Sequence, residues 1–258
     1  MSKKLAIKVE NVGVQLFKRN GFLGRKTKFH WALDNVSFDV NRGEVLGIIG
    51  RNGAGKSTLL RLLAAIIDPD RGKIRRYGNK ACLLALQTGF VPELTGRENA
   101  LLSGMFLGFS KSEIEGLLPE IKEFSELGDW FEQPIQTYSS GMKARLGFSA
   151  AINVPSDIIL VDETLGVGDT GFKKKSSEAM RSIMKSDRTV ILVSHSASMI
   201  QEMSDRAVWL EQGHTIMSGD PKKVSGQYEA FWDETLALQN DGLPLNQAIE
   251  QVLSKHIQ

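Results

Sequence analysis

The chain has 258 residues, of which 41% are hydrophobic and 24% charged, with a formal net charge of +2. That balance suits an ordinary globular protein with a sizeable core and gives no electrostatic reason to invoke nucleic acid. A single cysteine, Cys82, excludes an internal disulfide framework and suits a reducing compartment.

From the start, Leu5 to Val14 alternates apolar Leu5, Ile7 and Val9 with polar Lys4, Lys8 and Glu10, the pattern of a half-buried strand. The same alternation runs from Trp31 to Val40 through Leu33, Val36 and Phe38. Between them, Phe17 to His30 is basic with interleaved aromatics. It reads as a solvated loop, or as an aromatic that stacks on a base beside a basic patch for an anionic surface. The turn Asn41-Arg42-Gly43 then leads into the apolar run Val45 to Ile49. Two antiparallel strands ahead of a buried parallel one predict a mixed sheet. No apolar run approaches the ~18 residues of a membrane span. The opening MSKKLAIKVENVGV also lacks the continuous apolar core of a secretion signal.

GRNGAGKS, Gly50 to Ser57, follows that buried run and precedes a helical stretch, Thr58 to Ile67. It fits G-x-x-x-x-G-K-[ST] in the strand–loop–helix setting that the motif requires. Gly50, Gly53 and Gly55 let amides curl around phosphate oxygens, with Arg51, Asn52 and Ala54 between them and Thr58 on the helix behind. Lys56 can reach the β- and γ-phosphates, and the Ser57 hydroxyl can ligate Mg²⁺. The loop predicts binding of a nucleoside triphosphate.

Asp68-Pro69-Asp70-Arg71-Gly72 stops that helix. Short strands are predicted around Lys73 to Arg76 and Ala81 to Leu86. Helices follow at Arg97 to Met105, Lys111 to Leu127 and Gly141 to Ile152, a helical subdomain at about 92–152. Ser110 with Glu113 reads as a capping box. Then come a strand at Asp157 to Val161, a helix at Phe172 to Met184 and a strand at Thr189 to Ser194. A hairpin at Ala207 to Met217 turns at Gln212-Gly213. Beyond Pro221 the tail contains helical pieces, Ser225 to Gln239 and Leu245 to His256.

The run IILVDE, Ile158 to Glu163, is a buried strand ending in two acids. There Asp162 can hold Mg²⁺ through water, and Glu163 can polarise the water that attacks a γ-phosphate. Upstream, YSSGMKAR (Tyr138 to Arg145) opens a helix, where Ser139, Ser140 and Gly141 make a second anion site. One phosphate group rarely needs two such sites. A dimer whose subunits each cover the other's nucleotide uses both.

YSSGMKAR resembles the signature motif of ABC transporter ATPases, usually LSGGQ, between their phosphate loop and strand-end acids. Val167 to Asp169 resembles their dimer-contacting loop, and His195, closing the strand VILVSH, their switch histidine. The resemblance covers roughly Leu5 to Val224 and implies an α/β P-loop NTPase fold. That fold has a mixed sheet, an antiparallel β subdomain and a helical subdomain. It divides the chain into an ATPase domain, 1–224, and a short helical tail, 225–258. It implies ATP and Mg²⁺ as cofactors, held by Lys56, Ser57 and Asp162, with Glu163 as base and His195 as γ-phosphate sensor. Ser139 and Gly141 reach the partner's ATP. The partners implied are a second copy of the chain and an integral membrane permease, two copies of it, with no nucleic acid. The chain then sits peripherally on the cytoplasmic face of the cell membrane.

The runs DETLGVGDTGFKKK, QTGFVPELTGREN and IKEFSELGDWFEQPIQTYSSGMKARLGFS resemble ATPases exporting lipid-linked cell-surface polysaccharides, above all the teichoic-acid branch, with O-antigen or capsule export as the alternative. A tail of about 35 residues after Pro221 is too short for a carbohydrate-binding sandwich. The family's metal-binding glutamine would fall near Leu86, so Gln87 is the adjacent candidate. Its adenine-stacking aromatic would fall at Leu16, which makes Phe17 the candidate and Phe29 and Trp31 rivals. A small GTPase would need N-K-x-D, and Asn79-Lys80 continues as Ala81-Cys82. The ~80 residues between phosphate loop and signature cannot hold the long coiled coil of DNA-repair relatives. An importer ATPase or a soluble ABC factor shares the fold and stays as a further alternative.

Overall fold

The computed structural model describes residues 4–18, 28–78, 81–84, 89–162 and 170–256. They group into two compact units, one made by 1–77 with 191–258 and the other by 78–190. The first segment holds β1 (Leu5–Lys18), β2 (Lys28–Asn41), β3 (Val45–Ile49), α1 (Lys56–Leu63) and β4 (Arg71–Arg76). The second unit holds β5 (Ala81–Leu83), α2 (Gly96–Phe106), α3 (Lys111–Ser125), α4 (Ser140–Asn153), β6 (Ile158–Val161) and α5 (Thr170–Met184). The chain returns to the first unit along β7 (Thr189–Ser194). There it adds α6 (Ala197–Met203), β8 (Arg206–Glu211), β9 (His214–Gly219), α7 (Pro221–Asn240) and α8 (Leu245–His256).

In the first unit β1 lies antiparallel between β2 and β4. Alternation places Ile7, Val9, Val12 and Val14 in the core with Leu33, Val36 and Val40 of β2. The β1–β2 pair runs further than the alternation suggested, through Leu16↔His30 and Phe17↔Phe29. The basic stretch read as a loop therefore begins and ends inside paired strands, and its middle, 19–27, lies outside the described residues. β3 pairs parallel with β8, and β8 antiparallel with β9, which makes the sheet mixed. The hairpin turns at Gln212 and Gly213, both with positive φ, where the sequence placed it. On β8, Trp209 packs edge-on against Tyr228 and Phe231 of α7, at 5.9 and 5.0 Å between ring centroids.

α1 is shorter than its apolar run predicted. Ala64 caps it, and Ala65 takes a left-handed φ of 57° well ahead of Asp68-Pro69. Arg76 Nε donates to the Leu63 carbonyl at 3.1 Å and satisfies an acceptor that a longer helix would have used. α6 escaped the sequence reading, because Ala197 to Met203 is too short to show a helical period.

The second unit closes over Cys82, Phe109, Ile114, Ile121, Phe131 and Leu146. α2 and α3 each begin with a complete capping box, Thr95 with Glu98 and Ser110 with Glu113, the latter as predicted. Among the described residues, no helix is long and apolar enough to cross a membrane.

Candidate nucleotide site

All five residues of β3 are buried, so the strand delivers Gly50 to the sheet edge on a rigid support. A Cβ on Gly50 would collide with the Leu210 carbonyl of β8. Gly55, the N-cap of α1, has φ 104°, and a Cβ there would stand 2.5 Å from the Ala32 carbonyl oxygen. Gly53, with φ 90°, has nothing within 4 Å of its would-be Cβ. Ala54 is buried; its amide donates to the Arg51 carbonyl at 3.1 Å, and its carbonyl accepts from the Gly213 amide at 3.0 Å. Packing thus fixes both ends of the loop and leaves its middle open.

No side chain caps α1, so its first amides are left to the kind of anion that a helix start binds. Lys56 is only 7% exposed, and its Nζ donates to the carbonyls of Gly50 and Arg51 at 2.7 and 2.9 Å. The ammonium spans the loop where phosphate oxygens would replace those carbonyls. Ser57 is exposed and Thr58 half-buried. Uncapped amides, a bridging ammonium and a hydroxyl one residue on fit a triphosphate and a hard cation of few protein ligands.

His195, exposed just beyond β7, shares a cavity of about 670 Å³ with Arg51, Asn52, Gly53, Glu211 and Trp232. The Arg51 guanidinium lies 4.2 Å from the Trp232 ring centroid. Glu211 is 4% exposed, and burial raises its carboxyl pKa. A bond from Trp209, the Gln212 amide and the charges of Arg51 and Lys56 act the other way. Glu211 and Trp232 were not among the sequence candidates. The available signals were an acid closing a strand, as in IILVDE, and a Phe-Trp pair on a tail helix.

In the second unit, the four buried residues of β6 lead to half-buried Asp162. Ser139 is the N-cap of α4 and accepts from the Met142 amide at 3.2 Å. Ser139 and Ser140 are exposed. A Cβ on Gly141 would meet only Ser139 Oγ, at 3.8 Å, so the packing of this unit does not demand glycine there. Tyr138 anchors the preceding turn by donating its hydroxyl to the Trp130 carbonyl. Burial, helped by Glu132, pushes that hydroxyl up to about 12.

Glu163, Gln87 and residues 167–169 lie outside the described residues. Of the aromatic candidates, Phe17 is described in backbone pairing alone. Trp31 carries the Arg71 guanidinium 4.0 Å from its ring centroid, while Phe29 is 57% exposed. Among the described residues, no cluster of three or more His, Cys, Asp or Glu forms a metal site of its own.

Residues 33–166 match the family model described as ABC transporter. The chain is 42% identical over 206 residues to the teichoic acids export ATP-binding protein TagH of Bacillus cereus (strain ZK / E33L), covering 80% of this chain and 37% of that protein. It is also 42% identical over 206 residues to the O-antigen export system ATP-binding protein RfbB of Klebsiella pneumoniae, covering 80% of this chain and 82% of that one. The chain spans 37% to 65% of the length of several curated relatives that it matches. Among solved structures, the ATP-binding cassette MJ0796 bound to ADP and Pi superimposes with a TM-score of 0.65 at 22% identity, over 83% of this chain and 98% of that one. The phosphate loop, the mixed sheet and these likenesses agree: the chain belongs to the ABC transporter family and has the fold of its ATP-binding cassettes.

Proposed function

We propose that the chain is the ATP-hydrolysing subunit of an ABC exporter that moves a lipid-linked cell-surface polysaccharide, teichoic acid, across the cytoplasmic membrane. The observation that carries this reading is 40–42% identity over some 200 residues to proteins named for teichoic-acid and O-antigen export. O-antigen export is the second reading, favoured by the RfbB relative, of whose length the chain spans 82%.

In this reading Gly50, Arg51, Asn52, Gly53, Ala54, Gly55 and Thr58 cradle the phosphates, and Lys56 exchanges its loop carbonyls for phosphate oxygens. Ser57, Asp162 and Gln87 hold Mg²⁺, which neutralises charge on the β- and γ-phosphates. Glu163 accepts a proton from the attacking water, and His195 contacts the γ-phosphate. Phe17 stacks on the adenine. Ser139, Ser140 and Gly141 cover the ATP of a second copy, and the open surroundings of Gly141 support a role beyond its own unit's packing. The pair works with two copies of a membrane permease, peripherally on the cytoplasmic face.

The test is ATP turnover of the chain alone and co-reconstituted with the membrane protein encoded beside it, each against Glu163→Gln. Partner-stimulated turnover that is lost in the variant supports the exporter motor. Lipid-linked teichoic acid and lipid-linked O-antigen, supplied separately, then decide which polymer raises turnover. Turnover indifferent to the partner overturns the reading in favour of a soluble ABC ATPase.

A further inference from the structure

The phosphate loop has a side-chain anchor outside its own motif. Arg51 is a loop residue with two attachments. Its carbonyl accepts from Lys56 Nζ at 2.9 Å, and its guanidinium lies over Trp232 of α7 at 4.2 Å. Arg51 itself is exposed, so the loop's own packing does not fix its side chain. Trp232 is fixed: it is 8% exposed, packs edge-on against Phe231 at 5.1 Å, and Phe231 is fully buried against Trp209 of β8. The Trp232 indole Nε1 is buried without a hydrogen-bond acceptor among the described residues. Leaving that donor unmet carries a cost, which a Phe or Leu would avoid. A Trp offers the best cation–π face, and Arg is its usual partner. The ring, the guanidinium and the loop carbonyl that holds Lys56 form one continuous chain of contacts.

Resting on the nucleotide-binding reading above, we infer that Trp232 is a positioning residue for the phosphate loop. It carries the Arg51 guanidinium, sets where the Arg51 carbonyl and hence the Lys56 ammonium stand, and so ties nucleotide occupancy to the α7–α8 pair. Linkage makes the tie reciprocal. Nucleotide entry alters the surroundings of the Trp232 ring, and whatever steadies α7 tightens nucleotide binding.

The test measures the Kd of Mg-ATP for the full chain and for Trp232→Leu, Trp232→Phe, Arg51→Ala and the double variant Arg51→Ala/Trp232→Leu. An exposed cation–π contact predicts that Trp232→Leu and Arg51→Ala each raise Kd about threefold to fivefold, and Trp232→Phe less. The double variant is no weaker than either single one, because both remove the same contact. A packing role for Trp232 alone predicts instead that the two losses multiply, and that result overturns the tether. Mg-ATP shifts the tryptophan emission of the unaltered chain; Trp232→Phe and Arg51→Ala abolish most of the shift. If Trp232→Leu does not fold, the Arg51→Ala emission result decides, and an undiminished shift there overturns the tether. An unaltered chain that binds no Mg-ATP sinks the nucleotide reading itself, whereas intact binding with multiplying losses sinks the tether alone.

Discussion

Arg206, the first residue of β8, donates through Nε to Glu44 Oε1 at 2.7 Å, and Glu44 Oε2 accepts from the amide and side chain of Asn41 at 2.7 and 2.8 Å. The carboxylate is 4% exposed, so every acceptor position it uses is bonded within the protein. It joins the end of β2, the start of β3 and the start of β8. Burial alone would raise its pKa, and the bonds from Arg206 and Asn41 more than reverse this, leaving it below its ordinary value. Glu44→Ala leaves Arg206 its bonds to Asp39 and Ser218 but removes its buried carboxylate partner, and we expect a loss of about 1.5–3 kcal/mol, the range for a hydrogen bond to a charged group. The depressed value also fixes a pH dependence. Ionised Glu44 contributes stability that is fully present above its unfolded value and lost as pH falls through the lower folded one. Urea titrations between neutral pH and pH 3 should show an acid-side slope that Glu44→Gln reduces.

The phosphate-loop glycines should not respond alike. Gly53→Ala has room for its methyl group and meets only the strain of a positive φ, about 1 kcal/mol. Gly55→Ala combines φ 104° with a carbonyl at 2.5 Å, and Gly50→Ala drives a methyl into backbone. We expect Gly53→Ala to remain folded with weakened nucleotide binding, and the other two to lose about 3 kcal/mol or more. Thermal melts with and without Mg-ATP separate the two outcomes.

Asn99 organises the entry to α2. It is fully buried, its Nδ2 donates to the carbonyls of Val91, Leu94 and Thr95 at 2.9–3.0 Å, and its Oδ1 accepts from the Val91 amide at 2.8 Å. Asn99→Ala leaves the Val91 amide unmet, while the three carbonyls keep the backbone donors of Leu94, Ile135 and residue 99, at a cost of about 1–3 kcal/mol. Cys82, buried in the same unit with its thiol pushed by burial up to about 12, reports the damage. Maleimide labelling at pH 8 should be negligible in the unaltered chain and accelerate in Asn99→Ala, since opening exposes a thiol of ordinary acidity.

Ser139 offers a test of the cross-dimer assignment. As an N-cap alone, Ser139→Ala costs about 1 kcal/mol and Ser139→Gly a few tenths. A hydroxyl that reaches a second copy's nucleotide predicts that both variants lose ATP turnover by about tenfold or more, with Ser139→Gly close to full stability. Turnover that follows stability instead would reduce Ser139 to its capping role.

The first unit's strands and the hairpin turn were legible because period-2 burial and Gln-Gly turn chemistry are written locally. The end of α1 was not. Ala64 to Ile67 continues an apolar run, and what stops the helix is Arg76 arriving from β4 to take the Leu63 carbonyl. α6 hid because two turns cannot display a period. At the site, the phosphate loop was legible since its geometry demands glycine at fixed positions. Glu211 and Trp232 were invisible because their importance lies in standing beside Arg51, a proximity that no spacing along the chain encodes.

The bond from the Val45 amide to Asp205 Oδ2, 2.8 Å long, joins residues 160 positions apart. β3 therefore leaves the ribosome as a fully apolar strand whose parallel neighbour β8 has not been made. At 5–20 residues per second that interval lasts about 8–30 s, long enough for an unpaired strand to find another nascent chain. The intervening unit, 78–190, emerges meanwhile and can close over its own core. Biosynthesis is then the hazardous period for this protein. Slowed translation before residue 206 should send more of it to chaperones or aggregates, and a chain cut short of β8 should yield a folded second unit trailing a sticky, half-built first one.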